Sequence, residues 1–154
     1  MIEHGIHAFR GKRILLLQGP VGPFFRRLAQ DLESADASVF KVNFNAGDWF
    51  FYPFGAIAFD RPMDEWTAFL EELLTTLKID VVLFFGDCRP LHREAHRVAI
   101  ERGLEVGVFE EGYLRPDYIT LEQFGVNGHS KLSRSPIYYL NKASLPELPR
   151  CSLR

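Results

Sequence analysis

Four short apolar runs, each followed by a turn-rich loop and parted from the next by a helix-like segment, constrain this chain most. They are Arg13–Gln18 (RILLLQ), Val39–Asn43 (VFKVN), Val81–Phe85 (VVLFF) and Glu105–Phe109 (EVGVF). The first and third are almost unbroken stretches of Ile, Leu, Val and Phe. A strand wet on one face alternates apolar and polar residues; a continuous apolar run suits a strand covered on both faces. Between the runs the period changes. Pro23–Ser34 sets Phe24, Leu28 and Leu32 on one face, and Met63–Leu77 does the same with Trp66, Phe69, Leu70, Leu73, Leu74 and Leu77. Leu91–Gly103 groups His92, Ala95, Ala99 and Ile100 and ends at a glycine, as helix C-caps do. Strand and helix in alternation predict an α/β fold, a Rossmann-like parallel sheet with right-handed crossovers.

The 154 residues, 47% of them hydrophobic, suffice for one core. Residues 1–129 are expected to form the Rossmann-like domain, and 130–154 an irregular tail or the start of a linker. Tyr118–Phe124 reads as a short helix. Phe44–Pro62 is a long aromatic-rich connection, and loops of that length are commonly functional or folded on themselves. With 18 basic and 20 acidic residues the net charge is -2, so no nucleic-acid partner is expected. No segment approaches the ~20 apolar residues that span a bilayer. The longest apolar one, Trp49–Phe59, is interrupted by Pro53 and Gly55; it suits contact with a membrane surface or a partner, or packing on the core. Met1–Arg13 lacks the apolar stretch of a signal peptide. Cys88 and Cys151 are far apart, which fits a reducing cytoplasm and argues against a thiolate zinc site.

In an open parallel sheet, the loops after the strands share one edge, where ligands bind. Here those loops are Gly19-Pro20-Val21-Gly22-Pro23, Asn45-Ala46-Gly47-Asp48-Trp49, Gly86-Asp87-Cys88-Arg89-Pro90 and Glu110-Glu111-Gly112-Tyr113-Leu114-Arg115-Pro116-Asp117. Any one of them is explained by turn-making Gly, Pro and Asp. Together they gather glycines, acids and arginines at one end of the molecule, which predicts a ligand site. The first loop resembles a phosphate-binding turn, with Arg26 and Arg27 in the helix that follows, but it has neither a Gly-x-Gly-x-x-Gly nor a P-loop pattern. Glu110 and Glu111 are adjacent carboxylates beside a buried strand. One should be hard to ionise unless Arg89 or Arg115 lies close, and such a group suits acid–base work; a structural ion pair is the alternative. His92 and His96 have a metal-ligand spacing, but Glu94 is misplaced for His-Glu-x-x-His and no third ligand is evident, so no metal is expected. Cys88 as a nucleophile needs a base beside it, which sequence does not reveal.

These same loops, in order from Leu17-Gln18-Gly19-Pro20-Val21-Gly22-Pro23-Phe24-Phe25 through Lys41–Trp49 and Phe85–Pro90 to Phe109–Thr120, resemble the capsular polysaccharide biosynthesis and export proteins of the KpsS/LipB type. The likeness runs from Arg13 to about Tyr139. It implies the N-terminal half of a GT-B-like glycosyltransferase of Gram-negative bacteria. That family is taken to transfer β-Kdo (3-deoxy-manno-octulosonic acid) from CMP-Kdo to phosphatidylglycerol, at the lipid end of a capsule chain. Glu110-Glu111-Gly112 also resembles the acidic motif of bacterial sialyltransferases, where one acid serves the reacting centre. The resemblance therefore implies Glu110 or Glu111 as catalytic, and the gathered loops make Gly19, Gly22, Asn45, Asp48, Asp87, Arg89, Gly112 and Arg115 the expected substrate-binding residues.

The resemblance implies no cofactor beyond CMP-Kdo as donor substrate. It implies a cytoplasmic location at the inner face of the inner membrane, with other capsule-assembly proteins as partners. Those enzymes carry a His-Pro motif in a second, C-terminal domain that holds the CMP. This chain has no His-Pro dipeptide, so it is expected to supply the acceptor side and to be inactive alone. A non-catalytic docking module in capsule export is the competing expectation.

Overall fold

The structure, a computed structural model, describes residues 2–112, 118–123, 125–126 and 129–140. Its strands are β1 (Arg13–Leu16), β2 (Ser38–Asn43), β3 (Ala56–Ala58), β4 (Val81–Phe85), β5 (Glu105–Glu111) and β6 (Ile119–Gln123). Its helices are α1 (Phe24–Ser34), α2 (Ala46–Phe51), α3 (Trp66–Thr76), α4 (Pro90–Glu101) and the short α5 (Pro136–Leu140). The strands form one sheet in the order β3-β2-β1-β4-β5-β6, parallel throughout except for β6, which runs antiparallel to β5. This is the expected Rossmann-like α/β architecture.

Alternation along the strands divides the core in two. Leu15, Leu17, Val82, Phe84, Val106 and Val108 face α3 and α4, where Trp66, Leu70, Leu74, Ala95, Val98 and Ala99 meet them. Ile14, Leu16, Val81, Leu83, Phe85 and Phe109 face the other way, against Phe25, Ala29 and Leu32 of α1 and against Phe9. Every residue of β4 is buried, which is why its sequence shows no polar alternation. Each such side chain contributes about 1.5–3 kcal/mol by leaving water. Trp66 also donates its indole N–H to the carbonyl of Leu91 (3.1 Å), tying α3 to α4.

The helices end where the next strand must begin. Gly103 closes α4 as its sequence indicates: its N–H bonds the Ile100 carbonyl, and Leu104 N–H bonds that of Ala99. The same pattern ends α1, with Ala37 N–H on Leu32, and α3, with Ile79 N–H on Leu74.

Three expectations change. Ile119–Gln123, within the stretch expected as a helix, is strand β6. Pairing with β5 decides this: Leu121 pairs with Phe109 and packs on the α1 side, while the next residue, Glu122, pairs with Val108. The connection Phe44–Pro62 is not a loop but holds α2 and β3, whose three residues are too few to show a period. Finally β5 runs on to Glu111, two residues past the expected end.

Candidate functional site

The strand order reverses between β1 and β4. Chains leaving these two strands diverge to opposite sides, so a crevice opens beyond their carboxyl ends. At the end of β4, Gly86 turns the chain with a φ of 73°, a left-handed conformation that favours glycine. Its N–H bonds the Phe109 carbonyl (2.8 Å), holding the β4 and β5 ends together. Asp87 and Glu111 therefore lie at the same end of the sheet, as expected. The β1–α1 loop, residues 18–23, stands between two depressions on this edge.

The first depression contains Glu111. Its walls are Pro20 and Val21 of the loop, Phe24, Phe85, Tyr118 and Ile119. Because β5 extends to Glu111, its alternation sends the two acids to opposite faces of the sheet. Glu111 lies on the Phe109 side, toward α1. Glu110 lies on the other, where its Oε1 accepts the Glu111 N–H (3.0 Å). The acids are neighbours in sequence but not one carboxylate pair in space. Gly112 follows, buried, with its N–H on the Tyr118 carbonyl at 2.7 Å. The Arg89 guanidinium donates to Gln18 Oε1 at the start of the β1–α1 loop. Arg115 lies outside the described residues.

The second depression lies across the loop and is cationic. Gln18, Gly19, Gly22, Arg26, Lys41, Asn45, Asp48 and Arg89 all contribute to its wall. It thus collects Gly19, Gly22, Asn45, Asp48 and Arg89 from the expected substrate residues. Asn45 and Asp48 also build the start of α2: Asn45 Oδ1 accepts the Asp48 N–H (3.1 Å), and Asp48 Oδ2 accepts the Phe44 N–H (3.0 Å).

Asp87 occupies a third place, beneath the segment that follows β6. Its Oδ2 accepts from Val126 N–H (3.2 Å) and lies 3.0 Å from His129 Nδ1. Burial raises its pKa, but the Val126 N–H, then His129 and Cys88, hold it below the ordinary carboxylate range. The Cys88 thiol donates to Asp87 Oδ1 (3.4 Å). That hydrogen bond and the charge of Asp87 push the thiol up, so Cys88 stays protonated and is a poor nucleophile. His92 is wholly buried in the core, its ring on Phe84 and its Nδ1 2.6 Å from the Gly86 carbonyl. His96 lines a separate hollow with Asp87, Arg93 and His129. Among the described residues no cluster of three His, Cys, Asp or Glu is placed to hold a metal.

Residues 80–152, which include β4, β5, Asp87, Glu110, Glu111 and Gly112, match the family of capsule polysaccharide biosynthesis proteins. Over 140 residues, 90% of this chain and 35% of the relative, it is 45% identical to the capsule polysaccharide export protein KpsS of Escherichia coli. Over 134 residues, 85% of this chain and 32% of the relative, it is 47% identical to the capsule polysaccharide modification protein LipB of Neisseria meningitidis serogroups A and B. Most of the chain is thus similar to the N-terminal part of the KpsS and LipB capsule polysaccharide proteins. The chain spans about a third of the length of the curated relatives it matches. No helix among its described residues is long and apolar enough to cross a membrane.

Two features of the chain escape sequence reasoning. Lys41 is only 2% exposed although it is charged. Its strand is exposed at Ser38 and buried from Lys41 to Asn43, a gradient that only the sheet packing creates. Glu122 is also buried: its Oε2 accepts from the Ser130 hydroxyl, and its Oε1 has no partner among the described residues. Charge in a strand usually marks the wet face, so neither residue is signalled by its neighbours.

Proposed function

We propose that this chain supplies the acceptor side of a capsule glycosyltransferase, which moves β-Kdo from CMP-Kdo to a phosphatidylglycerol lipid, with Glu111 at the reacting centre. The observation that carries this is the position of Glu111, in a groove at the carboxyl edge of the sheet beside the β1–α1 loop. A carboxylate there can take the proton of an acceptor hydroxyl as its oxygen attacks the sugar's anomeric carbon and CMP departs. Glu110, turned to the opposite face with its carboxylate accepting the Glu111 N–H, suits a supporting part. The match of residues 80–152 to the capsule polysaccharide biosynthesis proteins supports the reading, as does the likeness of Glu110-Glu111-Gly112 to the acidic motif of CMP-sugar enzymes. The donor nucleotide then falls to a second domain, as in GT-B enzymes, and both walls are needed to position the reactants.

The test is Glu111→Gln in a full-length protein carrying this segment, assayed for transfer of Kdo from CMP-Kdo to phosphatidylglycerol. Turnover is expected to fall about 100-fold or more, the usual weight of a positioned acid or base, with Glu110→Gln less affected. Unchanged turnover in both variants sinks the reading. A docking module in capsule export would instead retain its capsule phenotype without either acid.

A lipid acceptor also requires a surface that meets a bilayer. Trp49 and Phe50 of α2, with Phe54 just beyond, are 39%, 79% and 83% exposed, close in sequence to Asp48 of the cationic depression. Aromatic side chains settle at the headgroup level of membranes. Phe59, by contrast, packs with Phe44 and Trp66 in the core. Replacing Phe50 and Phe54 with Ser is expected to weaken binding to phosphatidylglycerol vesicles several-fold at unchanged melting temperature. Equal vesicle binding would remove this surface from the account.

A further inference from the structure

The cationic depression holds a charge whose presence the fold does not require. Lys41 stands at the inner end of β2 with its ammonium group bonded to the Val42 carbonyl (2.5 Å) and to Asn43 Oδ1 (2.9 Å). An ammonium has three N–H donors, so these two acceptors leave one for the cavity that Lys41 lines. Burying such a group is costly unless it is compensated, and an apolar side chain would fill a strand position more favourably.

The surroundings accumulate positive charge rather than cancel it. Arg26 comes from the first turn of α1 and Arg89 from the β4–α4 loop, and both share the cavity wall with Lys41. Against three cations stands one carboxylate in the wall, Asp48, already engaged with the Phe44 N–H. Pro23, at the N-cap of α1, has no side-chain oxygen to satisfy the first-turn N–H groups. The Tyr52 ring lies 6.0 Å from the Lys41 ammonium, and buried His92 adds no charge near neutral pH.

We propose that this cavity is an oxyanion site, which takes the phosphate or carboxylate group of a small ligand and uses Lys41 as its buried cation. The site rests on these side chains alone and stands whether or not Glu111 transfers a sugar. Burial, opposed by the charge of Asp48, lowers the Lys41 pKa from 10.5 to about 8. An anion that needs the ammonium form is therefore held at pH 7 and released as the pH passes 8. Phosphate itself becomes more negative over that range, so a ligand effect alone has the opposite sign.

The experiment is calorimetric titration of the 154-residue chain at low salt with glycerol 3-phosphate, with glucuronate, and with glycerol as neutral control. At least one anion is expected to bind saturably at pH 7 and about tenfold more weakly at pH 9.5, as the lysine loses its proton. The tighter of the two identifies the source as a phosphoester or a sugar acid. K41M is expected to lose about tenfold in affinity at pH 7 and to show no decline toward pH 9.5. Arg89→Met, on an exposed residue, tests the same wall without touching the interior and is expected to weaken binding at least threefold. Lys78→Met, on the far side of the fold, leaves it unchanged. Binding of neither anion overturns the proposal, as does equal affinity at both pH values, or equal losses in Lys78→Met and Arg89→Met.

Discussion

Between pH 6.5 and pH 4 the folded chain is expected to lose about 3 kcal/mol of stability through one residue, His92. Its ring is fully buried against Phe84, with centroids 4.8 Å apart. The Gly86 carbonyl, 2.6 Å from Nδ1, can only accept, so Nδ1 carries the proton and Nε2 is bare. Nε2 has no partner among the described residues. Protonation would therefore bury a new N–H and a positive charge with nothing to receive them. Burial is the main cause that lowers the His92 pKa from 6.5 to about 4. The Gly86 carbonyl and Asp87 push back, and Arg89 and Lys41 add to the lowering.

The unfolded chain takes up its proton near 6.5 and the folded chain only near 4. Over that window the unfolded state binds more protons, so stability falls as pH falls, by about 1.4 kcal/mol per pH unit. Set against a typical total of about 5–15 kcal/mol, this is a large share. His92→Gln can still donate to the Gly86 carbonyl but does not titrate. Urea unfolding at pH 7 and pH 4 should show the wild-type chain losing about 3 kcal/mol relative to this variant. A difference that stays constant with pH would mean that His92 is protonated in the folded state.

His92 also marks how far the sequence could be read. Its place on the apolar face of α4 is visible from the spacing with Ala95 and Ala99, but the spacing also offers His96 as a metal partner. Only the packing of α4 on β4 turns one histidine inward and the other toward Asp87. Strands β1 and β4 are legible because both their faces are covered, which forces an apolar run. Strand β6 is not: Tyr-Ile-Thr-Leu-Glu-Gln-Phe satisfies a helical period as well as an alternating one, and pairing with β5 decides between them.

At the candidate site the gathering of four loops on one edge follows from strand direction, so sequence alone suffices for it. The division of that edge into an acidic groove and a cationic cavity does not follow. It depends on the extra length of β5, which separates Glu110 from Glu111, and on the burial of Lys41. Each is a tertiary effect with no local signature.

Replacing Gly112 with Ala is expected to cost about 3 kcal/mol, the upper end for forcing a methyl group into a packed interior. A Cβ at this position would lie 2.5 Å from the Tyr118 carbonyl oxygen and 2.7 Å from its carbon. Both atoms are backbone, so no side-chain rotation relieves the clash. The Gly112 N–H is also bonded to that same oxygen, at 2.7 Å. Close approach of the two chains is thus what makes the third residue of Glu110-Glu111-Gly112 a glycine. The strain has one outlet, which is to push Tyr118 and Ile119 away from β5. Those two residues wall the Glu111 groove, so the substitution should deform the site as it destabilises the fold. Glu111→Ala, one residue away and exposed, serves as the control and should change stability by less than about 0.5 kcal/mol. Urea unfolding measures the cost, and the amide chemical shifts of Tyr118 and Ile119 report the displacement. A Gly112→Ala chain as stable as the Glu111→Ala control, with those amides unmoved, would show that β5 and β6 do not approach this closely.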